Sequence, residues 1–257
     1  MNPQEQLARI LITPGLAEQL RADPAGFARA HGADPAMSRR LSALPPAGIA
    51  LTSAITRHAR TGRLVGMFPA AFALAGASAG RLLSAAEDCG ALTGPGAIEE
   101  LTRRLTTEAV RLGTPRTGLL TDVIGYESLC LQARFRAAAP ERPAPPPGRP
   151  ALAHGVLPAF FGRHVAQAHR LILAGAPLPD GPAVPTHYAL RAPAGAGAVR
   201  SHRLTPTLGR ALAACDGART ATAVAHEAEL TVPAARRAIA VLAEAGFVTG
   251  SEHQEGE

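Results

Sequence analysis

Apolar positions in the first half of the chain recur at helical rather than strand spacing. Leu7, Ile10 and Leu11 share one face of a short helix, and Leu119, Val123, Tyr126, Leu129 and Ala133 do the same across 116–136. Three helix starts use one chemistry: Thr13-Pro14, Asp23-Pro24 and Asp34-Pro35. A short oxygen-bearing side chain caps free N–H groups, and proline follows with no N–H to lose and a preset φ. Gly32 ends the helix containing Phe27. The pattern predicts short helices over 3–43, then longer ones over 46–61, 63–75, 78–88, 96–112 and 116–136. No alternating strand pattern interrupts them, so this half is expected to be all-α.

A proline-rich run, "AAAPERPAPPPGRPAL", then breaks the chain over 138–150. Such a run favours polyproline II and predicts a semi-rigid spacer. Beyond it, "GVLPAFF" predicts a short strand and "HVAQAHRLILAG" a helix. "THYALRAP" and "AVRSHRLT" flank the glycine-rich turn "AGAG" as a β-hairpin. Thr205 with Pro206 starts a helix that ends at Asp216-Gly217. Thr220 caps a second, and a third runs over 232–245 until Gly246 breaks it before Phe247-Val248. The predicted fold class is therefore α+β. A helical domain (1–137) and linker (138–150) precede a small winged helix-turn-helix-like domain with a short antiparallel sheet (151–250) and a tail (251–257).

Charge changes how that second unit is read. The chain has no Lys, and its net charge of +6 lies mostly in the helical half, where 15 Arg face 11 acids. Residues 151–257 carry only +1, whereas a nucleic-acid module normally carries the basic excess itself. In the third helix, "VPAARRAIAVLAEAG", Ala235, Ile239 and Leu242 form an apolar stripe beside Ala238 and Val241. Arg236, Arg237, Glu244 and alanines remain outside, too few for base reading plus phosphate contacts on both flanks. A small, apolar outer surface instead suits one wall of a peptide groove. The other wall would be a free sheet edge that accepts a strand through main-chain hydrogen bonds. The hairpin strand leading into Thr205 is the candidate edge, with Val199 and Ser201 on one side and Arg200 and His202 on the other. The segment 155–161 could instead cover it, so which edge is free stays open.

These residues resemble a known arrangement. "THYALRAP…VRSHRLTPTLGRALAACDGARTATAVA…AARRAIAVLAEAGFV" is similar to the peptide-recognition element used in biosynthesis of ribosomally made, post-translationally modified peptides. Preceded by "LARILITPGLAEQLRADPAGFARAHGADP", it resembles the partner subunit of multinuclear non-heme iron-dependent oxidases. The resemblance implies a non-catalytic protein that holds the leader of a precursor peptide and docks on the oxidase, which modifies the peptide, commonly at cysteine. It implies leader contacts at Val199, Arg200, Ser201, His202, Arg203, Arg236, Ile239 and Ala240. The segment "TDVIGYESLCLQARF", with Tyr126 and Glu127, would serve packing and docking on the oxidase. No cofactor is expected in this chain, the iron belonging to the partner.

The residues point to no chemistry of the chain's own. His164 and His169 are five apart, on different helical faces. His187 and His202 lie on opposite hairpin strands but lack a carboxylate or Cys at ligand spacing. Cys89 sits beside acids that raise a thiol pKa, and Glu87-Asp88 and Glu99-Glu100 are adjacent and diverge on a helix. Cys89, Cys130 and Cys215 read as buried thiols of a cytoplasmic protein, with no leader or membrane span at the head of the chain. Arg57, Arg60 and Arg63 with His58 form a basic patch suited to acidic groups on a partner protein. The rival expectations are a winged-helix transcription regulator and an adaptor for some other enzyme.

Overall fold

The structure, a computed structural model, describes residues 3–250 apart from Pro14, Asp88, Gly90, Ala91, Thr93, Arg142, Asp180, Gly181 and Ala196. The predicted tail, 251–257, lies outside the described residues. The architecture is mixed α+β. Four short helices open the chain: α1 (Pro3–Ile12), α2 (Leu16–Ala22), α3 (Pro24–His31) and α4 (Pro35–Ser42). The Asp23 carboxylate accepts from Gly26 N–H at 2.8 Å and Asp34 from Ala36 N–H at 2.9 Å, the two caps that the Asp-Pro pairs predict. The Thr13-Pro14 start differs. Gly15, at φ 79°, occupies the N-cap of α2 with no side-chain bond, and Pro14 is outside the described residues. Ile10, Leu20, Phe27 and Leu41 close a small core among these helices.

The longer helices are α5 (Pro46–Met67), α6 (Pro69–Ala75), α7 (Ala79–Glu87), α8 (Pro95–Leu112) and α9 (Thr117–Ala138). The expected break near Gly62 is absent, and α5 runs on to Met67. An isolated glycine only weakens a helix, whereas Pro69 disfavours helical backbone at Phe68, where φ −130° and ψ 52° end α5. Strand β1 (Ala151–Leu152), strand β2 (Val156–Phe161), helix α10 (Val165–Leu173) and strands β3 (Thr186–Arg191) and β4 (Arg200–Leu204) follow. The chain continues through α11 (Pro206–Ala214), α12 (Ala221–Glu227) and α13 (Val232–Glu244) to β5 (Val248–Thr249). Thr205, Thr220 and Thr231 cap the last three helices.

Strands β2, β3 and β4 form one antiparallel sheet in that order, with Leu157 opposite Leu190 and Ala189 opposite His202. Alternation along the strands gives the sheet two buried faces. Leu157, Phe161, Tyr188 and Leu190 join Phe68, Leu82, Leu101, Leu105, Val123 and Ile124 in the largest core. Val156 and Ala189 point the other way, onto Leu212, Val224, Ile239, Leu242 and Phe247. Each fully buried Leu, Ile or Phe contributes roughly 1.5–3 kcal/mol against chain entropy. The largest core thus crosses the proline-rich segment that marks the sequence boundary. That segment is itself packed: Pro150 C=O accepts from Gly217 N–H at 3.0 Å, and a Cβ on Gly250 would stand 2.5 Å from Pro145 Cγ.

One buried carboxylate joins three of these helices. Phe68, the N-cap of α6, offers no side-chain bond. Glu127 of α9 takes its place, accepting from Ala70 N–H at 2.8 Å and Ala71 N–H at 3.1 Å, and its Oε1 lies 3.1 Å from His169 Nε2 of α10. Glu127→Ala leaves two buried N–H groups without an acceptor and should lower stability by about 2–4 kcal/mol in urea denaturation. His169→Ala, which spares both N–H bonds, should cost about 1 kcal/mol.

Candidate functional site

Strand β4 is the sheet edge that matters most to a peptide-binding reading. Among the described residues it pairs with β3 alone, and Arg200–Leu204 make no backbone hydrogen bond beyond that ladder. β2 lies on the far side of β3, so 155–161 leaves this edge uncovered. Arg200, His202 and Arg203 are exposed, and Ser201 is half-buried.

The two faces of β4 meet different neighbours, with the alternation the sequence predicts. Val199 packs against the largest core. Ser201 lies within hydrogen-bonding reach of the Tyr126 hydroxyl on α9, which also meets Cys130. On the opposite face, the His202 ring sits 5.1 Å from that of Phe247, just past α13. A strand added here would therefore run between α9 on one side and the end of α13 on the other.

The helical residues expected to share this site lie elsewhere. Arg236, Ile239 and Ala240 line a groove of about 850 Å³ between α13, the start of α12 and the proline-rich segment around Pro147 and Pro150. Ile239 is only 5% exposed and serves the core, so it offers a partner little surface. No residue of β4 lines that groove. The sequence signal for α13 was its apolar stripe, which marks what faces the core and cannot say what lies against the outer face.

Of the residues expected to dock a partner, Tyr126 and Glu127 are buried at 6% and 4% exposure, and their contacts are internal. Their docking role gives way to packing: Glu127 caps α6 and Tyr126 lies edge-on to Phe161. Arg60 is half-buried and its guanidinium donates to the Cys89 carbonyl, while Arg57 and Arg63 are exposed. Around them α5 exposes Leu51 at 64% and Ile55 at 61%, and the helix contains no acid. This outward apolar surface escaped the helical spacing argument, which assumes that a stripe finds a core.

His187 and His202 are not directly opposed, because His187 pairs with Leu204 and Ala189 with His202. His187 instead lies 4.6 Å from the Phe160 ring, and burial lowers its pKa. Among the described residues no group of three or more His, Cys, Asp or Glu could hold a metal.

Burial raises the pKa of all three thiols, to about 11 at Cys130 and about 12 at Cys215. For Cys89 burial outweighs Glu100, the acid that adds to the rise, so the expected direction holds for a different main cause. Tyr126 is also pushed up by burial, to about 12. The unfolded chain ionises these groups first and so binds fewer protons as pH rises. Stability should therefore be fully present below about pH 8 and fall as pH rises from about 9 toward 11. Urea midpoints measured across that range should show the decline, and Cys215→Ala should remove part of it. Comparison of the chain with protein-family models, curated proteins and solved structures finds no match in any of the three.

Proposed function

We propose that this protein is a non-catalytic subunit that captures the leader of a ribosomally made precursor peptide as an added strand on β4. It would present the peptide's core, with its cysteines, to an associated iron-dependent oxidase. The observation that carries the reading is the open edge of β4, exposed over three residues and partnered, among the described residues, only by β3. An open edge supplies unpaired main-chain donors and acceptors in the spacing an extended peptide needs. In this reading α11–α13 and the flanking strands form a winged helix-turn-helix module, and tethering raises the concentration of the reacting cysteine near the iron.

The outer surface of α5 is the proposed docking face for the oxidase. Exposed Leu51 and Ile55 would supply apolar contact, and Arg57 and Arg63 would meet partner carboxylates. A cytoplasmic location is part of the proposal. Among the described residues no single helix is long and apolar enough to cross a membrane, although α5 with α6–α7 has the length and composition as a pair bent by 96°.

The test uses the leader of a cysteine-containing precursor encoded beside the gene. Hydrogen exchange should slow at least tenfold for outward-facing amides of 200–204 when the leader binds, with little change on β2. The double substitution Arg200→Glu, Arg203→Glu should weaken leader binding. Unchanged exchange along β4 would sink the strand-addition reading, and tight, salt-sensitive binding of duplex DNA would favour a transcription regulator.

A further inference from the structure

We infer that the groove between α13 and the proline-rich segment is a second binding site, one for an extended acidic peptide segment. Its volume of about 850 Å³ lies within the range of sites that hold substantial ligands. Pro147 and Pro150 form one wall and Ala240 and Ala243 lie on the other, with the Thr220 and Thr222 side chains at the start of α12, so the walls are short and more apolar than polar. Such walls accept a peptide backbone with small side chains and leave ligand polarity to be matched at the rim.

The rim supplies that match. Arg149, Arg236 and Arg237 line the groove, with Glu244 as the sole acid among its lining residues. None of these three arginines has a carboxylate within ion-pair distance among the described residues. Elsewhere the pairing is close: Arg81 with Glu108 at 2.6 Å, Arg163 with Asp122 at 2.7 Å and Arg219 with Asp216 at 2.9 Å. Three unneutralised guanidinium forks around an apolar trough suit an occupant whose carboxylates alternate with small residues.

A nucleic acid fits this geometry poorly. A helix reads bases by entering a major groove about 12 Å wide. Here the same face of α13 that carries Arg236 and Ala240 is walled by Pro147 and Pro150, which leaves a trough rather than a projecting ridge. The wall is fixed at both ends of its contact, by the Gly217–Pro150 hydrogen bond and by the close approach of Gly250 to Pro145 and Arg149. Because no residue of β4 lines the groove, the inference stands or falls apart from the proposed leader site.

The test is fluorescence anisotropy of the full chain with a labelled octapeptide of alternating Glu and Ala, beside its Gln-for-Glu counterpart. Saturable binding is expected for the acidic peptide alone, weakening at least tenfold in Arg236→Glu, Arg237→Glu. These side chains are exposed, so the fold should survive the change. The β4 variant Arg200→Glu, Arg203→Glu should bind the probe as before. Removing residues 251–257, which include Glu252, Glu255 and Glu257, should leave affinity unchanged. Four results would each overturn the inference: no saturable binding, equal binding of the Gln peptide, loss in the β4 variant, or displacement by duplex DNA. A tenfold gain on removing 251–257 would also overturn it, because the chain's own acids would then be the competing occupant.

Discussion

The fold turns on a carboxylate that the solvent scarcely reaches. Glu127 closes the amino end of α6 from a neighbouring helix and holds His169 of α10 with the same oxygen that binds Ala70 N–H. A buried carboxylate is costly unless its lone pairs are filled, and here two amides and an imidazole fill them. The consequence reaches the sheet. α9 is held in position one residue from Tyr126, whose ring meets Phe161 of β2 and whose hydroxyl meets Ser201 of β4.

With one face of the sheet committed to α9 and the other to α11–α13, little freedom remains for β2–β4 except at the ends of the row. That is the physical origin of the open β4 edge. Both broad faces are buried over β2 and β3, and the order puts β3 in the middle and leaves β4 on the outside. Exposed arginines at 200 and 203 discourage two such edges from pairing with each other, a known way of keeping an open strand from self-association. The same charges leave the edge available to a chain of opposite sign.

Local chemistry was legible in the sequence wherever one side chain dictates one bond. Asp23, Asp34, Thr205 and Thr220 cap the helices that they announce, and β3 and β4 pair as the antiparallel hairpin expected on either side of the glycine-rich turn. Long-range relations were not legible. The segment with Tyr126 and Glu127 suggested packing and docking, but the bonds that define Glu127 come from residues more than forty positions away. Likewise, α13 announced its core stripe, whereas the neighbour of its outer face comes from a segment about ninety positions earlier that reads as a spacer. Spacing patterns report which face is apolar, and they are silent about what covers it.

The prolines that separate the two halves in sequence have the opposite effect in space. Pinned against Gly217 and Gly250, they line a groove beside α13. A hinge at this point would have to strip those contacts before it could swing. Any partner that seizes the amino-terminal helices therefore pulls on a strut, and the pull arrives at α13 with little slack.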